Sequence, residues 1–120
     1  MIALSRTAEV TRMLLHTSVT KPAAWRGSFE GKDFGSDVSI IFNALQHAGE
    51  GARLHRHPYS ETFIVRDGIV SFIIGDERIE ASAGQILVVP AGVPHGFTSK
   101  SDRVEMIDIH ANPHFDTEWL

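Results

Sequence analysis

From residue 37 onward, short runs rich in Ile, Val and Phe alternate with Gly, Pro and Asp, the breaks recurring every 8 to 12 residues. No run holds a helical period, and apolar runs of this length between turn residues predict the strands of a sandwich or barrel. The expected strands cover 37–45, 52–57, 61–67, 69–75, 77–81, 85–90, 95–100 and 103–110. Asp67-Gly68 predicts a two-residue hairpin joining the third and fourth of them, since a type I′ turn needs positive φ at both central residues. Gly75-Asp76 is a weaker signal of the same kind.

Residues 1–36 are less regular. "AEVTRMLL" fits a first strand or a short helix, and "RGSFEGKDFGS" reads as a glycine-rich loop carrying Phe29 and Phe34. We expect 1–36 to be an arm or edge strand packed on a barrel formed by 37–120, in a single domain. Such an arm would cover an open end or sheet edge, of this chain or of a partner.

Composition narrows the class. A chain of 120 residues with 42% hydrophobic and 22% charged residues suits one folded globular domain. The net charge is −4 and the cations are scattered, so nucleic acid is not an expected partner. Nor is a membrane, because no apolar stretch has spanning length. Arg6, Glu9 and Arg12 interrupt the stretch a signal peptide would need, which predicts a cytoplasmic protein. Without cysteine, only His, Asp and Glu remain as strong metal ligands.

The candidate chemistry lies in "HRHPYSE" at 55–61. His55 and His57 share a strand face with α-carbons roughly 6.5 Å apart, so two imidazoles can converge on one ion. Glu61 would lie roughly 13 Å farther along a straight strand, and the chain must bend at Pro58 to bring it back. Buried beside Phe63, Ile64 and Val65, such groups need a compensating partner. His95, after the rigid "PAGVP" turn, is the best fourth candidate. His16, His47 and His114 fall in loops or ambiguous stretches and are expected to be structural or superficial. His110 shares a face with Met106 and Asp108 and is expected to be a satisfied histidine near a strand end.

These residues carry a resemblance to the cupins. Gly49, His55, His57, Glu61 and Gly68 fit every spacing of the first cupin motif, and Gly84, Pro90, Gly92 and His95 fit the second. Ser99 stands where that motif ends in Asn, a departure that touches the support of the site rather than its ligands. The fifteen residues between Gly68 and Gly84 are the short spacing of small microbial single-domain cupins. The resemblance implies an all-β double-stranded β-helix, or jelly roll, binding one divalent transition metal per chain through His55, His57, Glu61 and His95. Three nitrogens and one oxygen admit Fe, Mn, Ni, Zn, Co or Cu.

Strand parity puts Phe63 and Val65 on the face of Glu61 and Phe97 on that of His95, with Phe72 or Ile74 opposite; each is an equally good core residue. Arg53 has the parity of His55 and would either hold a substrate carboxylate at the mouth or form a surface ion pair. Tyr59 and Gln46 are candidate donors to the site. Four ligands leave two positions of a six-coordinate ion for a chelating small molecule, an arrangement that points to an enzyme of the oxygenase (dioxygenase-like), isomerase or decarboxylase type. The alternative is a non-catalytic module binding a small ligand or metal. A homodimer is expected in either case, since small cupins are dimeric more often than not.

Overall fold

The computed structural model describes residues 23–120. Two antiparallel five-stranded sheets face each other across one core. The strands are β1 (Gly27–Phe29), β2 (Ser39–Leu45), β3 (Gly51–Arg56), β4 (Glu61–Asp67), β5 (Ile69–Ile74), β6 (Glu77–Ser82), β7 (Ile86–Val89), β8 (His95–Ser99), β9 (Val104–His110) and β10 (Glu118–Trp119). The first sheet has the order β1-β2-β9-β4-β7 and the second β10-β3-β8-β5-β6. This is the jelly-roll arrangement, with consecutive strands repeatedly crossing between sheets.

The eight strands expected from the apolar runs are all present. Two short pieces lie where no strand was expected: β1, an edge strand inside "RGSFEGKDFGS", which reads as a loop, and β10, in a C-terminal stretch without alternation. β1 pairs with the chain's own β2, and Phe29 stacks on Phe34 with ring centroids 4.8 Å apart. Expectations that fall on residues 1–22 lie outside the described residues.

The hairpin expected at Asp67-Gly68 is a correction. β4 belongs to the first sheet and β5 to the second, so the chain crosses over here and does not pair back on itself. Gly68 has φ +88°, and a β-carbon there would lie 2.6 Å from the carbonyl oxygen of Arg103, so the glycine permits a close backbone approach at a sheet corner. Gly75-Asp76 does form a two-residue turn, with Ile74 opposite Glu77 in the β5–β6 pair.

Alternation along the strands fills the interior. Phe63, Val65, Val70, Phe72, Ala81, Val89, Phe97, Val104 and Met106 form one buried cluster. Phe63 and Phe72 have ring centroids 4.9 Å apart, and Phe97 lies 5.8 Å from each. At one end of this cluster the inward positions become polar: His55, His57, Glu61, His95, Asp108 and His110 are all buried.

Candidate metal centre

Both sheets build the site. In the second, His55 on β3 stands directly opposite His95 on β8. In the first, Glu61 on β4 stands directly opposite His110 on β9. His57 lies just past β3, where the chain leaves the second sheet through Pro58-Tyr59-Ser60 to start β4 in the first. The crossover supplies the bend that brings Glu61 back toward the two histidines. One ligand-competent atom each from His55, His57, Glu61 and His95 lies within 4.8 Å of the others.

The ring nitrogens reveal what this group lacks. Nδ1 of His55 is 2.6 Å from the Arg53 carbonyl oxygen, Nδ1 of His57 2.8 Å from that of Asp116, and Nδ1 of His95 2.9 Å from that of Val93. A carbonyl only accepts, so each Nδ1 carries a proton and each neutral ring keeps its lone pair on Nε2. Glu61 Oε1 lies 3.0 Å from His57 Nε2 and 2.9 Å from His95 Nε2. The buried His57 Nε2 nonetheless has no partner in hydrogen-bond geometry among the described residues. Three lone pairs and a carboxylate converge without a donor, and a cation fits that set.

In the ion-free group, a proton taken up at His57 Nε2 would lie against the Glu61 carboxylate, and the charge balance follows from that contact. Burial alone would raise the Glu61 carboxyl, but His110, His57 and His95 around it outweigh burial and hold it well below the usual carboxylate range. Burial depresses His55. At His57 burial acts the same way but loses to Glu61 and the Asp116 carbonyl, leaving the ring raised. Asp108, buried and close enough to feel the Glu61 charge, is pushed far upward; Asn43 Nδ2 donates to its Oδ2 at 3.1 Å, while Oδ1 has no partner among the described residues.

The other candidates divide. Phe63 packs its edge on the His95 ring at 6.2 Å, and Val65, Phe72 and Phe97 lie deeper in the core. Arg53 is exposed, its guanidinium 5.0 Å over the Trp119 ring and its Nη1 donating to the Leu120 carbonyl at 3.4 Å. A bulge between Ala52 and His55 breaks the parity that linked them. Ser99 is buried and donates to the Ser101 carbonyl, bracing a turn. Gln46 takes part in the Glu50 turn, its N–H donating to Oε1 at 2.8 Å.

Sequence reasoning did not assign a role to the C-terminal residues. They cross the site: Phe115 meets the His110 ring at 4.9 Å, Asp116 holds His57, and Trp119, opposite His55 in register, lies 4.9 Å from its ring. Only the aromatic content of "HFDTEW" hinted at this. A cavity of about 320 Å³ opens beside His57, lined by Arg56, Pro58, Gly92, Asp116 and Glu118.

Residues 44–110 match the family model described as Cupin domain. Over 93 residues the chain is 29% identical to the Streptomyces cyaneus protein "Polyketide synthase CurC", covering 70% of this chain and 60% of that protein's length. A solved Klebsiella pneumoniae protein with a double-stranded β-helix domain superposes with TM-score 0.67 at 18% identity, covering 85% of this chain and 90% of that one. Oxalate decarboxylase from Lactobacillus farciminis superposes with TM-score 0.70 at 19% identity, over 78% of this chain and 30% of that one. At these identities the structural likeness concerns the fold.

Proposed function

The chain belongs to the cupin family, and on that premise we propose that His55, His57, Glu61 and His95 bind one divalent transition metal that receives a small, oxygen-chelating organic molecule. The observation that carries this reading is the acceptor-only cluster: three imidazoles with Nδ1 fixed by carbonyls present Nε2 toward one carboxylate. When bound, the metal supplies Lewis-acid polarisation of a chelating oxygen and, if redox-active, access to dioxygen.

The chain's own residues would do the rest. The three carbonyl anchors orient the rings before binding, so little is lost in ordering them. Phe63, against the His95 ring, closes the inner end of the site with the apolar core behind it. The cavity beside His57, whose rim carries the paired Arg56 and Glu118, offers an approach for a small molecule. Chemistry of the oxygenase, isomerase or decarboxylase type fits this arrangement; the alternative is a module that binds such a ligand without turning it over.

The test has two stages. Elemental analysis of the purified protein, with His57→Ala and His95→Ala confirmed as folded by circular dichroism, should show metal in the parent and large losses in both variants; equal retention would overturn the ligand set. Fe, Mn, Ni, Co and Zn forms are then screened against small hydroxy acids, keto acids and diols, with mass spectrometry and dioxygen uptake. Turnover that vanishes in His55→Ala supports an enzyme. Tight binding without product supports the module.

We also propose a homodimer through the outer face of the first sheet. Ile86 and Val88 on edge strand β7 are 64% and 57% exposed. They continue two cross-strand rows through Ile64, Ile107 and Phe42, and through Thr62, Ile109 and Ile40. Apolar rows ending at a sheet edge that no described residue covers are unfavourable in water and suit a second copy.

A further inference from the structure

The site contains a fourth histidine set up in the opposite sense. His110 Nδ1 faces the hydroxyl oxygen of Tyr59 at 2.7 Å rather than a carbonyl. That oxygen already accepts the Asp116 N–H at 3.1 Å. Among the described residues these are the two hydrogen-bonding atoms the Tyr59 oxygen meets, and only Nδ1 can accept, so the O–H donates to it. A ring that accepts at Nδ1 carries its proton on Nε2. His110 therefore has no Nε2 lone pair for a cation, although it is as buried as the other three.

Its Nε2–H is 3.1 Å from Glu61 Oε2, the oxygen that faces away from His57 and His95. The approach is oblique, so in this structure it is a close dipole-to-carboxylate contact and not an aligned hydrogen bond. The carboxylate's two oxygens thus have different company: Oε1 meets two lone-pair nitrogens and Oε2 meets an N–H.

We propose that His110, fixed in its Nε2–H tautomer by Tyr59, is a positioning residue that occupies Glu61 Oε2 and so restricts Glu61 to a single ligating oxygen. This deepens the metal reading above and rests on it. A carboxylate free at both oxygens can close on an ion with both, taking a coordination position that a chelating molecule would otherwise use. The sequence His110–Tyr59–Asp116 would then keep that position available.

Co2+ is the probe, added to the full chain and followed by competition titration and visible absorption. In His110→Leu the affinity should fall roughly 10-fold or more, as for other groups that orient a ligand, and the absorption should weaken as Glu61 adds its second oxygen. His110→Gln, which retains an N–H donor at a similar reach, should restore most of both. Tyr59→Phe leaves the ring but removes what fixes its tautomer, and should move the spectrum in the direction of His110→Leu. It also keeps the test open should His110→Leu fail to fold. Unchanged affinity and spectrum in His110→Leu, or in Tyr59→Phe, would overturn the proposal while leaving the metal reading intact. Loss of all Co2+ in both His110→Leu and His110→Gln would overturn it in favour of direct ligation. A parent protein that binds no Co2+ would overturn both readings.

Discussion

Asp108 carries a carboxyl whose Oδ1 has no described partner, and it keeps its proton to higher pH in the fold than in the unfolded chain. Above the ordinary carboxylate range the native state therefore binds more protons than the unfolded one, and stability falls as pH rises through that window. Asp108→Asn should remove this slope, which urea midpoints from pH 5 to 8 would reveal; an unchanged slope would show that Asp108 is not its source. Glu61 has the opposite sign, because its carboxyl is held low. Its contribution is complete above about pH 4.3 and is lost on further acidification, so Glu61→Gln should flatten the acid limb of the same curve. Gly68 and Gly49 offer a matched pair, at φ +88° and +95°, with a β-carbon clashing only at the first. Gly68→Ala should cost about 1–3 kcal/mol, and more than Gly49→Ala, by denaturant unfolding. The four candidate ligands were legible because their spacing is local or framed by glycine and proline. The tautomer of His110 was not, since it depends on Tyr59, brought alongside by a contact spanning 51 residues.

Among the elements, strand positions were legible and their connections were not. Asp-Gly at 67–68 has the composition of a tight hairpin, yet the strands on either side lie in different sheets. Local turn chemistry reports that the chain reverses or breaks, while the partner of each strand is decided by which apolar faces meet. The C-terminal segment escaped for a related reason. Two paired residues carry too little alternation to announce a strand, and β10 is placed by Trp119 against His55 and by the 2.6 Å Arg56–Glu118 pair, itself exposed and worth little alone. Removing residues 115–120 takes away the Asp116 carbonyl that orients His57. Metal affinity should then weaken by about 10-fold or more, measured by competition titration, with the β-rich circular dichroism retained. Unchanged affinity would mean that His57 is oriented without this segment.

For the molecule as a whole, nine buried apolar residues form a core that extends well beyond the site and meets it through Phe63. Metal should therefore add to stability without being required for folding. At a thousandfold excess over its dissociation constant the gain is about 4 kcal/mol, and a chelator should lower Tm but leave a cooperative transition; outright unfolding at neutral pH would contradict this. Replacing Ile86 and Val88 together with Glu should convert the proposed dimer to monomer by light scattering while preserving the fold, and a parent that is already monomeric would remove the interface. The anchors of the three candidate ligand histidines differ in one more respect. His55 and His95 each use the carbonyl two residues back on their own chain segment, whereas His57 uses one 59 residues away, on a segment whose strand pairing is two residues long and whose Asp116 N–H is held by Tyr59. Short edge strands open far more often than whole domains unfold. Ion release should thus follow the fraying of this segment: exchange of bound metal should keep pace with deuterium uptake at the Asp116 and Trp119 amides, and quicken when the segment is loosened, while the global unfolding rate stays the same.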